Sequence, residues 1–182
     1  MRSPRIRLLS GGCMRGLTAF MTGEDMEYTI RKLRENERFM LRDFLYEAIF
    51  IPEGVEPPPR EITERPELQV YIERFGEREH DQCLVAEVNG EVVGAVWTRI
   101  MHDYGHIDDE TPSFAISLYK EYRAYGIGTA LMRAMLELLR ENGVKQASLA
   151  VQKKNYAVKM YEKVGFVTVD ENDEEYIMLC RL

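Results

Sequence analysis

The sequence predicts a single α/β domain, a mixed β-sheet of about seven strands flanked by about four helices. Three observations lead there. Short alternating or continuously apolar segments are interleaved with segments of helical pattern. Asn89-Gly90 stands between two strand-like segments as a two-residue hairpin turn. Residues 126–142 place Ile127, Ala130, Leu131, Ala134, Met135 and Leu138 at the helical period, between two further strand patterns.

In chain order, residues 28–33 alternate polar and apolar side chains, as a half-buried strand does. Asn36 is expected to cap a helix whose apolar stripe is Phe39, Met40, Phe44, Leu45 and Ala48. Pro52, Gly54, Pro57, Pro58 and Pro59 stop that helix and stiffen the loop after it. A second helix is expected over 66–75, with Leu68, Val70, Tyr71 and Ile72 inward. The hairpin strands are 83–88 and 92–100, followed by a polar, turn-rich loop at 102–112 and a core strand at 113–119. Asn142-Gly143 ends the long helix, and 147–151 is a short strand. Asn155 then caps a helix bearing Val158, Tyr161 and Val164, and Gly165 terminates it. Strands at 166–169 and 176–182 close the chain around an acidic turn.

At 182 residues the chain can bury a sizeable core. Its net charge of −7 argues against a nucleic-acid partner, which would favour a basic face. No window approaches the roughly 20 apolar residues of a membrane span. Cys13, Cys83 and Cys180 are too few and too scattered for a disulfide framework, so the expected location is cytoplasmic. Residues 1–25 differ from the rest. Arg2, Arg5, Arg7 and Arg15 against Glu24 and Asp25 give +2 there, leaving −7 − 2 = −9 for the remainder. This stretch lacks a sustained apolar run and is read as a flexible leader rather than a secretory signal, with Met21 or Met26 as alternative starts. The domain is expected to occupy 26–182.

Chemistry concentrates between the strand at 113–119 and the long helix, where the chain reads Lys120-Glu121-Tyr122-Arg123-Ala124-Tyr125-Gly126-Ile127-Gly128-Thr129. Two glycines let backbone approach a ligand closely, and a helix start presents free N–H groups to an anion. Lys120 and Arg123 add positive charge. The arrangement suits a pyrophosphate, although a Gly-x-Gly at a helix start also serves as a plain tight turn. A Rossmann site is disfavoured, because the third glycine and the ribose-binding acid are missing. The lysine of a Walker loop is missing too.

Downstream stand Gln152-Lys153-Lys154-Asn155, then Tyr161, then Gly165-Phe166. The ordered pairing of strand-Arg123-x-x-Gly126-x-Gly128-helix with strand-Asn155-helix-Tyr161-x-x-x-Gly165-Phe166 resembles the GNAT superfamily of N-acetyltransferases, over residues 27–182. The loop at 50–61 and the stretch 106–112 look like one bacterial subgroup of those enzymes.

The resemblance implies a GNAT-like fold in which the parallel strands 113–119 and 147–151 splay apart around acetyl-CoA. It implies that backbone groups of Ile116, Ser117 and Leu118 meet the pantetheine, with the Leu118 N–H on the thioester carbonyl. Amides of Arg123, Ala124, Tyr125, Gly126, Ile127, Gly128 and Thr129 would hold the pyrophosphate. Asn155 would hydrogen-bond the pantetheine. Tyr161 would reach the sulfur and act as general acid toward the leaving thiolate. The implied reaction is direct attack of a neutral amine on the thioester in a ternary complex, with no metal. The acceptor would be a small-molecule or peptide amine, and a homodimer is compatible with the family.

Plainer roles stand beside these. Tyr161 has the spacing of a core tyrosine, Asn155 of a simple helix cap, and Arg123 of a surface partner for Glu121. His102, Asp103 and His106 read as a solvated loop rather than a metal cluster, since Gly105 interrupts them. Cys83, Cys180 and Trp97 read as core packing. Relatives carry an acid early in the strand before the turn, where this chain has Ser113 and Phe114. Glu47, Asp103, Glu110 or a water chain past Tyr104 is left to serve as base, and an amine deprotonated before binding needs none. Glu53, Glu56, Asp108 and Asp109 in the two flanking loops suggest a cationic acceptor. The rivals are a non-catalytic acyl-CoA sensor and a nucleotide-binding protein using the same turn.

Overall fold

The computed structural model describes residues 19–23 and 26–182. Within these residues eight strands form one sheet: β1 (Ala19–Gly23), β2 (Met26–Lys32), β3 (Gln82–Val88), β4 (Glu91–Arg99), β5 (Ser113–Leu118), β6 (Gln146–Gln152), β7 (Val167–Glu171) and β8 (Glu175–Arg181). Their order across the sheet is β1-β2-β3-β4-β5-β6-β8-β7, antiparallel throughout except for the parallel pair β5 and β6. Among the described residues four helices flank it: α1 (Leu41–Ala48), α2 (Pro66–Gln69), α3 (Ile127–Glu141) and α4 (Val158–Lys163).

The leader expected over 1–25 overlaps β1, which pairs with β2 from Ala19↔Ile30 to Gly23↔Met26. Backbone pairing at a sheet edge asks for no side-chain alternation, so the sequence pattern does not reveal such a strand. The remainder of that stretch, 1–18 and 24–25, lies outside the described residues.

The sheet separates two apolar layers. On one face α3 lies across β2–β5 and buries Ile127, Leu131, Met132, Met135 and Leu139. On the other, α1 packs on β5 through Leu41, Phe44 and Leu45, whose i, i+3, i+4 spacing makes one stripe. The hairpin turn behaves as its sequence requires: Asn89 and Gly90 both take positive φ, 50° and 86°.

Two helical expectations need correction. Asn36 caps nothing; a 3-10 turn over Glu35–Met40 precedes α1, and the Glu37 carboxylate accepts the Arg34 N–H at 2.9 Å. Phe39, on that tighter turn, faces solvent at 74% exposure. The helix expected over 66–75 is α-helical only through Gln69 and continues as turns. Its end is set by a distant residue. The buried Arg99 guanidinium takes the carbonyls of Val70 (3.1 Å) and Glu73 (2.8 Å) while pairing with Asp81 at 2.7–2.8 Å. Among the described residues no helix is long and apolar enough to cross a membrane.

Candidate active site

The site starts where β5 leaves β6. The two strands match at one register position, Ser113↔Ser148, with the Ser148 N–H donating to Pro112 O at 3.0 Å. Beyond it β5 stays on β4, while β6 pairs along its length with β8. Gly105 sits at the fork, where an added Cβ would lie 2.9 Å from Ala150 N. The Tyr119 N–H donates to Val93 O across β4, so by strand alternation the N–H and C=O groups of Leu118 and Ile116 face the gap. The Leu118 carbonyl is already taken by Arg123 Nε at 2.9 Å, which leaves its N–H for a ligand. The Ser117 hydroxyl is committed too, donating to Phe44 O at 2.6 Å and tying β5 to α1.

The turn after β5 is a 3-10 segment, Lys120–Tyr122, followed by two left-handed residues, Ala124 (φ 70°) and Gly126 (φ 80°). Gly126 is the N-cap of α3 and its carbonyl accepts the Ala130 N–H at 3.0 Å, so the first-turn amides of Ile127, Gly128 and Thr129 lack helical partners. No acidic residue occupies that first turn. An added Cβ at Gly126 meets open space, whereas one at Gly128 would lie 3.3 Å from both Leu118 Cδ1 and Met160 Sδ. Gly126 therefore serves backbone conformation and ligand access, and Gly128 serves close packing.

Arg123 departs from expectation. Its N–H donates to Lys120 O at 3.2 Å within the turn, so that amide is not free for a phosphate. Its guanidinium pairs at 3.0 Å with Glu47 on α1, not with Glu121. It is a strut joining α1, the end of β5 and the turn.

On the β6 side, the Asn155 side-chain oxygen accepts the Ala157 N–H at 2.9 Å, so it shapes the turn entering α4 rather than capping the helix directly. Tyr161 on α4 is 9% exposed, its ring edge-on to Phe166 at 6.1 Å. Burial, with a smaller contribution from Tyr156, holds its hydroxyl well above the usual phenol range.

These parts enclose one cavity of about 660 Å³. Ile116, Ser117, Leu118, Arg123, Ala124, Gly126, Gly128, Thr129, Asn155 and Tyr161 all line it. Tyr125 and Ile127 do not: the Tyr125 side chain is 41% exposed and that of Ile127 is buried beneath α3. The facing wall comes from α1 and the loop after it: Tyr46, Glu47, Phe50, Ile51, Pro52, Val55 and Pro57. The Tyr46 hydroxyl donates to Pro58 O at 2.7 Å and holds that loop in place.

Tyr46 gives no sequence signal beyond being a polar residue at the end of an apolar stripe, whereas Glu47 stands among the candidate bases. The acidic residues read as acceptor contacts, Glu53, Glu56, Asp108 and Asp109, are not on this wall. Asp108 is turned into its own loop, accepting from Thr111 Oγ1 at 2.6 Å. Among the candidate bases, Glu47 is held by Arg123, and Asp103 accepts from the Tyr71 hydroxyl and Ser113 Oγ, each at 2.8 Å. Glu110 is exposed. Among the described residues Glu47 is the only carboxylate lining the cavity.

Comparison with known proteins bears on this arrangement. Residues 45–166 match the model of the acetyltransferase (GNAT) family. An acetyltransferase of Pectobacterium atrosepticum is 35% identical over 103 residues, covering 56% of this chain and 69% of that protein. An N-alpha-acetyltransferase of Sulfurisphaera tokodaii is 31% identical over 128 residues, covering 62% of this chain and 75% of that one. Among solved structures, the PaiA N-acetyltransferase of Thermoplasma acidophilum in complex with coenzyme A superposes with a TM-score of 0.65 at 20% identity, covering 86% of this chain and all (100%) of that one. The GNAT domain of the S. lividans protein PAT gives 0.68 at 17% identity, covering 91% and 97%.

Proposed function

The chain belongs to the GNAT family of acetyltransferases, and we propose that it moves the acetyl group of acetyl-CoA onto an amine by direct attack within a ternary complex. The observation that carries this reading is the fork between β5 and β6, which opens into a cavity running from the α3 N-terminus to Tyr161. Acetyl-CoA is the acyl donor of the family.

Pyrophosphate at the start of α3 meets the partnerless amides of Ile127, Gly128 and Thr129, where the helix dipole also favours an anion. Lys120 on the cavity wall adds a cation that no described carboxylate neutralises within salt-bridge distance. Arg123, already balanced by Glu47, contributes shape more than charge. From there the pantetheine lies along the free edge of β5, meeting the backbone of Ile116 and the N–H of Leu118, with Asn155 opposite. A donor N–H at the thioester carbonyl stabilises the charge that develops on its oxygen. As the C–S bond breaks, the protonated Tyr161 hydroxyl donates to the departing sulfur, and the proton that the attacking nitrogen sheds on becoming an amide restores the phenol, directly or through water. Holding both substrates in line supplies the largest part of the acceleration.

The acceptor enters beside α1 and the loop after it. Phe50, Ile51, Pro52 and Val55 make that wall apolar, which favours an amine flanked by an apolar group, where loop composition suggested only a cationic acceptor. The activity of the Sulfurisphaera relative supports a peptide N-terminal amine as one candidate. With Glu47 in an ion pair, deprotonation falls to the acceptor itself. For a peptide α-amine, kcat/KM should therefore rise with pH and level off near the amine's own value of about 7.7–8.0. A pH profile that stays put when acceptors of different basicity are compared would point instead to an enzymatic base. We place the activity in the cytoplasm, where the unpaired Cys83 and Cys180 remain reduced.

Free-thiol release from acetyl-CoA against a panel of amines tests the reaction. Gly126→Val tests the cofactor's placement, because it forces a β-branched residue to φ 80° and projects it into the anion cradle. Losing one or two charge-assisted contacts should weaken CoA by about 10–100-fold in calorimetry. An unchanged affinity in a variant that still melts cooperatively would put the pyrophosphate elsewhere.

A further inference from the structure

Outside the cavity, the loop between β4 and β5 gathers two of the chain's three histidines beside a carboxylate. His102, His106 and Asp109 each turn one ligand atom toward the others, and these atoms lie within 4.8 Å of one another. Asp109 Oδ1 stands 3.9 Å from His106 Nε2 and 4.0 Å from His102 Nε2, and the two rings tilt together at 4.4 Å between centroids. His106 Nδ1 lies 3.0 Å from Met101 O. A carbonyl only accepts, so Nδ1 carries the proton and Nε2 presents its lone pair to the cluster. That is the outer contact which fixes tautomer and ring orientation in metal-binding histidines. Asp103, the acid nearest in sequence, is committed to Tyr71 and Ser113 and takes no part.

We propose that His102 Nε2, His106 Nε2 and the Asp109 carboxylate form a three-ligand site for zinc(II) or a similar borderline transition-metal cation. Two imidazoles and one carboxylate suit zinc, cobalt, nickel or copper; magnesium and calcium need more oxygen ligands. Zinc held at about 2.0–2.2 Å from each ligand draws the three atoms to roughly 3.3–3.5 Å apart. That contraction falls on the exposed side chains of His102 (82%) and Asp109 (83%), while His106 (25%) stays anchored. The backbone is already braced: the His106 N–H donates to Asp103 O at 3.2 Å, and Asp108 receives Thr111 Oγ1 and the Glu110 N–H. A water completes the shell. The cation lies outside the proposed transfer chemistry and clamps the loop that carries Asp103 to the base of β5.

The test uses untagged, chelator-treated protein titrated with zinc chloride in a calorimeter, with magnesium chloride alongside. One equivalent of zinc should bind, magnesium should not at the same concentrations, and zinc should raise the Tm. His102→Ala and His106→Ala should each weaken zinc at least tenfold, while His80→Ala leaves it unchanged. CoA-induced thermal shifts retained in all three variants show that the fold is intact. Absence of saturable zinc binding, or a loss under tenfold in either loop variant, overturns the site whether or not the transferase reading stands.

Discussion

Tyr161→Phe should lower kcat for acetyl transfer by about 10²–10⁴-fold, the range of a positioned general acid, while leaving CoA affinity near its original value. The substitution removes one oxygen from a ring that is 9% exposed and packed edge-on against Phe166, so the ring's contacts persist. Burial keeps the phenol protonated far above neutral pH, so it stands ready to donate throughout the working range. A departing thiolate without that donor leaves as a bare anion, and the loss falls on kcat rather than on binding. Stopped thiol-release assays give kcat, and calorimetry gives affinity separately. A variant that retains more than a tenth of the original kcat would make Tyr161 a packing residue and leave the sulfur to solvent.

Arg99→Ala carries the largest expected effect on stability, a loss of about 3–5 kcal/mol, as for other buried pairs broken from one side. The side chains of Arg99 and Asp81 are both 0% exposed, and the guanidinium also satisfies two carbonyls and lies over the Phe75 ring at 5.1 Å. Truncation strands a buried carboxylate and the carbonyls of Val70 and Glu73 together. The midpoint of urea unfolding should fall steeply in Arg99→Ala, and a midpoint within experimental error of the parent's would contradict the buried-pair account.

The same pair dictates an acid dependence. Burial alone would raise the Asp81 carboxyl, but hydrogen bonds from Arg99 and from the Gly76 and Arg78 amides outweigh it and hold it below the usual range. Its stabilising contribution is therefore complete above the unfolded value of about 4 and lost as pH falls through the depressed folded value. Asp81→Asn should flatten that acid limb.

The fold was legible where local chemistry decides. Asn89-Gly90 adopts the left-handed pair its hairpin needs, and Gly126 takes the positive φ that starts α3. The parallel fork followed from family resemblance, not from periodicity, and the single match at Ser113 bears it out. What stayed hidden depends on residues distant in sequence. The strut from Arg123 to Glu47 spans 76 positions, and Glu121, its neighbour in the chain, has no part in it. Arg99 reshapes α2 from 29 positions away by claiming a carbonyl that a longer helix would use. Asp109, by contrast, is a sequence neighbour of His102 and His106, and what the sequence leaves open there is the loop geometry that brings its carboxylate to 3.9–4.0 Å from both imidazoles.

The outer edge of the sheet constrains how copies of this protein can meet. β7 is the terminal strand beyond β8, its residues all exposed, and its register shifts between Thr168 and Asp170. Asp170 and Glu171 sit at its end and Asp173 and Glu174 in the turn after it, with Glu171 held by Lys153 at 3.1 Å. The shifted register and the carboxylates gathered at one end of this strand are both features that blunt a sheet edge against pairing with a further strand.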